Sequence, residues 1–134
     1  MANSNIKMAV SAALLLSSSL AVSASQMDPQ KRYSSFADSH QNALLGDPKA
    51  QVAIAQMYLK GDVITKDAKQ GAQWLQVAAD NGDAEAQVQL ALLYASGTGV
   101  YRDKALAVAW LGKAAKQNNS HALDLLHWMS QAAH

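Results

Sequence analysis

The side chains best suited to acid–base or metal chemistry are four histidines, His40, His121, His127 and His134. No two stand four residues apart, so none forms the paired-imidazole helix motif that, with a glutamate between, makes a catalytic zinc site. The chain has no cysteine, which removes the thiolate nucleophile, thiolate-bound zinc and the disulfide staple together. Serines, histidines and aspartates occur, but none sits in a nucleophile-elbow context, and the scattered carboxylates make no obvious acid–base pair. The run Asp80-Asn81-Gly82-Asp83-Ala84-Glu85 has the composition of a calcium loop without its ligand spacing. No glycine-rich phosphate cradle follows a strand, because no strand is predicted. The expectation is a protein without catalytic residues, cofactor or metal, whose function lies in its surface.

That surface is not selected by net charge. The formal charge is +1 with pI near 8.0, which provides neither the basic stripe of a nucleic-acid binder nor a strong acidic field. Residues 1–24 read as a secretory signal peptide. A short start carrying Lys7 precedes the apolar run Met8 to Val22, which is too short to span a bilayer. Val22-Ser23-Ala24 places small residues where signal peptidase needs them, with cleavage expected after Ala24. The predicted destination is the periplasm or beyond, with no stable membrane anchor once the leader is removed. Losing Lys7 leaves ten Lys and Arg against ten Asp and Glu.

The elements that display this surface follow from composition and repetition. Beyond residue 24 there are 21 alanines against ten Val, Ile and Thr together, which favours helix over sheet. The chain also aligns on itself at an offset of 36. Residues 46–81 and 82–117 share 13 identities in 36 pairs, among them Gly46/Gly82, Gln51/Gln87, Tyr58/Tyr94, Gly61/Gly97, Asp67/Asp103 and Trp74/Trp110. Each copy reads as a helix hairpin. Ala50, Ile54, Met57 and Tyr58, then Ala86, Leu90, Leu93 and Tyr94, form one buried stripe in the first helix. Gly61 and Gly97 end it as left-handed caps. Asp67 and Asp103 open the second helix as N-caps, with Trp74, Leu75, Ala78 and Ala79 and their counterparts facing inward. A third copy starts on schedule at Ala122.

These motifs resemble the Sel-one-like repeat family, 36-residue relatives of the tetratricopeptide repeat. The family pattern is met in the second copy by Ala86, Leu90, Tyr94, Gly97, Gly99, Val100, Asp103, Ala107, Trp110, Ala114 and Ala115. The first copy departs from it at Val63 and Gly71, and Val63 predicts a reshaped first loop. The fold expected is all-α, a short right-handed α-solenoid. Residues 25–45 make an N-terminal segment whose capping helix at 29–45 turns Tyr33, Phe36, Ala37, Ala43 and Leu44 inward. Residues 46–134 make the solenoid, as units 46–81 and 82–117 and a partial unit 118–134. His127, in place of a small packing residue, suits a terminal helix.

The resemblance implies a concave face lined by the first helix of each hairpin. Outside the packing stripe lie Lys49, Val52, Gln56, Leu59 and Lys60, then Glu85, Val88, Leu92, Ala95 and Ser96, then His121, Asp124 and Trp128. Leu59, Leu92 and Trp128 are large apolar groups at nominally exposed places, rimmed by charge, as in a protein-binding groove. The partner expected is another protein and not a nucleic acid: a resident envelope protein or murein enzyme that this chain regulates. The alternative is a toxin held by an immunity protein.

Overall fold

The computed structural model describes residues 28–133, in six helices with no strand among them. The leader assigned to residues 1–24 and His134 lie outside the described residues. In chain order the helices are α1 Pro29–Leu44, α2 Pro48–Lys60, α3 Ala68–Asp80, α4 Ala84–Ser96, α5 Lys104–Lys116 and α6 Ser120–Ala132. Each packs on its neighbour in sequence. The hairpins α2/α3 and α4/α5 are the two repeat units; α1 takes the place of a second helix before them and α6 the place of a first helix after them.

Capping explains where each helix starts. The carboxylates of Asp47, Asp67, Asp83 and Asp103 accept from the backbone N–H of Lys49, Gln70, Ala86 and Leu106 at 2.9, 3.1, 2.8 and 3.0 Å. Asn119 caps α6 in the same way, through Ala122 at 3.0 Å. Gly61 and Gly97 close α2 and α4 with φ of 73° and 74°, where glycine escapes the Cβ penalty. Val63 does not take a left-handed φ, whereas its counterpart Gly99 does, at 71°. The first loop is therefore reshaped in the middle. Its ends are kept: the N–H of Asp67 and of Asp103 donates to the carbonyl of Tyr58 and of Tyr94, both at 2.9 Å.

The core runs through both units. Ile54, Leu75 and Leu90 are its largest fully enclosed side chains, with Ala55, Ala78, Ala86, Ala91 and Ala114 letting the helices approach closely. Gln51 and Gln87 are buried, and the Nε2 of each donates at 3.1 Å to the carbonyl of Ala43 or Ala79 in the preceding helix. This repeated bond pins each unit to the one before and shows that α1 sits as α3 does. The inward face of α1 is narrower than the sequence suggested. Phe36 and Ala43 pack inward, while Tyr33, Ala37 and Leu44, on the neighbouring stripe, are exposed. His40 takes the inner position instead, stacked on Phe36 at 5.5 Å and edge-on to Trp74 at 5.8 Å.

Candidate protein-binding groove

The two junctions between successive units differ in how they are filled. At the first, Leu59 at the end of α2 lies over Gly71 in α3. A Cβ at Gly71 would come within 2.7 Å of Leu59 Cγ and 3.0 Å of the Ala55 carbonyl. At the second junction the same two places hold Ala95 and Ala107. The large–none pair has become a small–small pair, and the space that Leu59 occupies is vacated.

The result is a groove of about 820 Å³ between α4, α5 and α6. Ala91, Ala95, Ala107 and Leu111 line it together with Leu125, Leu126 and Met129. Leu92, Val108 and Trp128 also line it while remaining 47%, 43% and 65% exposed. Large apolar side chains left in water around a depression are the surface feature that most often marks a partner site. Arg102 and Lys104 line the groove as well, and no carboxylate does.

Of the positions read from the sequence, Leu92, Ala95 and Trp128 come together here. Two others change status. Val88 is 3% exposed, because α4 is packed by α3 on one side and α5 on the other, which widens its buried arc. Leu59 is partly buried against the core and fills the first junction. Val52 likewise packs partly into the core, and Gln56 is half-buried. Lys49, Lys60, Glu85, Ser96, His121 and Asp124 are exposed but do not line the groove. Glu85 accepts from Gln89 Nε2 at 3.0 Å, and the Ser96 hydroxyl donates to the Leu92 carbonyl at 3.0 Å, both local to α4.

The sequence reading missed Val108, Leu111, Leu125 and Met129. The signal for them lay in the difference between copies: Leu59 becomes Ala95 and Tyr94 becomes Ser130, losing bulk, while Gln56 becomes Leu92 and Ala72 becomes Val108, gaining apolar surface. Among the described residues no three His, Asp or Glu side chains converge to hold a metal ion. No described helix is long and apolar enough to cross a membrane.

A family model described as "Sel1 repeat" matches residues 48–83 and 84–119. No curated protein matches the chain. A Sel1 repeat protein from Oxalobacter formigenes is 40% identical with a TM-score of 0.64, over 68% of this chain and 26% of that one. The protein c5321, a protective antigen present in uropathogenic Escherichia coli strains and displaying an SLR fold, is 32% identical with a TM-score of 0.68, over 71% and 20%. The chain thus spans a quarter or less of the second structure and 26% of the first. Helicobacter pylori cysteine rich protein B shares the fold at 23% identity and a TM-score of 0.67, over 75% and 74%. With both hairpins matched and the solenoid geometry in common, the chain belongs to the Sel1 repeat family, whose repeats generally mediate protein–protein interaction.

Proposed function

We propose that the protein is an exported, non-enzymatic interaction module of the bacterial envelope that holds a segment of a partner protein in the groove between α4, α5 and α6. The observation that carries this reading is the open junction itself: two units of one chain meet tightly at one seam and leave an apolar cleft at the next. Export rests on the apolar leader at Met8 to Val22 and the small residues before Ser25. The role proposed is that of a periplasmic adaptor or regulator of an envelope protein such as a murein enzyme.

The test is affinity capture of the tagged protein, expressed through its own leader and crosslinked in intact cells, with Trp128→Ala and Leu92→Asp as matched variants. Both residues are substantially exposed, so helical circular dichroism should be unchanged. One stoichiometric partner lost in both variants supports the reading. A resident envelope protein fits the regulator role and a secreted toxin fits an immunity role. A partner retained by both variants places the interface elsewhere.

A further inference from the structure

The turn between the two repeat units holds the one Asn–Gly pair in the sequence, Asn81-Gly82. Both residues are exposed, and no other atom stands near where a Cβ of Gly82 would be. Glycine therefore leaves the backbone nitrogen that follows Asn81 unshielded by any side chain. The same place is filled differently in the other two inter-unit turns, by Leu45-Gly46 ahead of α2 and by Gln117-Asn118 ahead of α6. Gln117 is tethered: its Nε2 donates to the Gly82 carbonyl at 3.0 Å and to Gln87 Oε1 at 3.1 Å. Asn81, one methylene shorter, does not make the corresponding bond, and Gln51 Oε1, the counterpart of Gln87 Oε1, is left buried without a partner.

We infer that Asn81 is a self-modification site, gated by the turn that contains it. The Gly82 nitrogen attacks Asn81 Cγ, forming a new N–C bond that closes a five-membered succinimide. The carboxamide nitrogen leaves as ammonia, and the proton lost from the Gly82 nitrogen passes to it through solvent. Water then adds to one of the two ring carbonyls and breaks that carbon's bond to the ring nitrogen. Opening at Cγ gives aspartate. Opening at the main-chain carbonyl gives isoaspartate, in which the chain runs on through Cβ and Cγ and the former carbonyl carbon ends in a free carboxylate. The folded turn withholds this reaction. Asn81 has ψ of 2°, so the Gly82 nitrogen eclipses the nitrogen of Asn81 and stands roughly a third of a turn from Cβ about the Cα–C bond. Bringing it round would break three bonds: Gly82 N–H to the Ala79 carbonyl at 3.0 Å, Asp83 N–H to the Ala78 carbonyl at 3.1 Å, and Gln117 to the Gly82 carbonyl. Conversion therefore proceeds from the fraction of molecules in which the turn is open. Isoaspartate then adds one main-chain atom between α3 and α4, so these bonds cannot all re-form and the modified chain is less stable where the units join.

The experiment ages the purified protein at mildly alkaline pH, folded and in urea, and follows amide-to-acid conversion at each asparagine by peptide mapping in a mass spectrometer, with isoaspartate identified by fragmentation. In urea, Asn81 is expected to convert ahead of Asn42, Asn118 and Asn119. Folding should slow it at least about tenfold, and Gln117→Ala, which releases the Gly82 carbonyl, should speed the folded reaction at least about threefold. The isoaspartate form, separated from the parent, should melt lower. Asn81→Gln, which matches Gln117 of the next turn, should stay unconverted at this place and melt no lower than the parent. Equal rates in folded and unfolded chains, or no acceleration by Gln117→Ala, would overturn the gate. Earlier conversion of another asparagine in urea, or an isoaspartate form that melts with the parent, would overturn the site and its effect.

Discussion

The size exchange between Leu59/Gly71 and Ala95/Ala107 can be tested by stability alone, through a double-mutant cycle at the closed seam. Leu59→Ala removes a packed side chain and should cost about 2–3 kcal/mol in transfer and cavity terms. Gly71→Ala acts in two directions. In a helix interior it should gain about 1 kcal/mol in propensity. The added Cβ, however, meets Leu59 Cγ at 2.7 Å and the Ala55 carbonyl at 3.0 Å. The first contact is with a branch carbon close to its own backbone, which has little room to yield, so overpacking of roughly 2 kcal/mol outweighs the propensity gain. The net cost of the single change is about 1 kcal/mol. With Leu59 already reduced to alanine the worst clash is gone, and the new methyl gains its propensity and fills part of the cavity. The double variant should therefore lose about 2 kcal/mol, not the nearly 4 expected from additivity, a coupling of roughly 1.5–2 kcal/mol. Urea unfolding followed by far-ultraviolet circular dichroism, with unchanged m-values, measures all four corners. Additivity within about 0.5 kcal/mol, or stabilisation by Gly71→Ala alone, would refute the reasoning.

Three further changes probe the units separately. Trp110 is 8% exposed with the Lys113 ammonium 4.1 Å from its ring centre; Trp110→Ala should cost about 3–5 kcal/mol in chemical unfolding. Asn118 has φ of 60° at the place where Gly46 and Gly82 have 96° and 92°, so Asn118→Gly should raise stability by about 0.5–1 kcal/mol, read as a higher melting temperature. Gln87 bonds the Ala79 carbonyl and accepts from Gln117 Nε2 at 3.1 Å, whereas Gln51 Oε1 is buried without a partner. In paired urea titrations Gln87→Leu should cost about 1–2 kcal/mol and Gln51→Leu less, since the latter removes an unsatisfied atom along with its bond.

Much of the architecture was legible because repetition doubles every local signal. A lone aspartate or glycine is weak punctuation, but Asp67/Asp103 and Gly61/Gly97 recur at one offset, and all four cap helices where expected. The inward face of α1 was misread because single-helix periodicity cannot tell Phe36 and His40 from Tyr33 and Ala37 without knowing where Trp74 sits. Val88 and Leu59 were misread for a related reason: a helix wheel counts one buried stripe, while α4 has neighbours on two sides and Leu59 meets a glycine in another helix. The groove is encoded in neither copy alone. It appears in the residues by which the copies differ, and those have meaning only after the helices are placed side by side.

The most direct test of the groove as the partner interface is a site-specific photocrosslinking map in intact cells. A photoreactive residue is placed in turn at Leu92, Val108 and Trp128 in the groove, at Tyr101, which is 97% exposed on the loop before α5, and at Tyr33, exposed on α1. One adduct of common mass from the three groove positions, absent from Tyr33 and weak or absent from Tyr101, is the predicted result. The same adduct from Tyr33 and Tyr101 with none from Leu92, Val108 or Trp128 would contradict it and move the interface off the open seam.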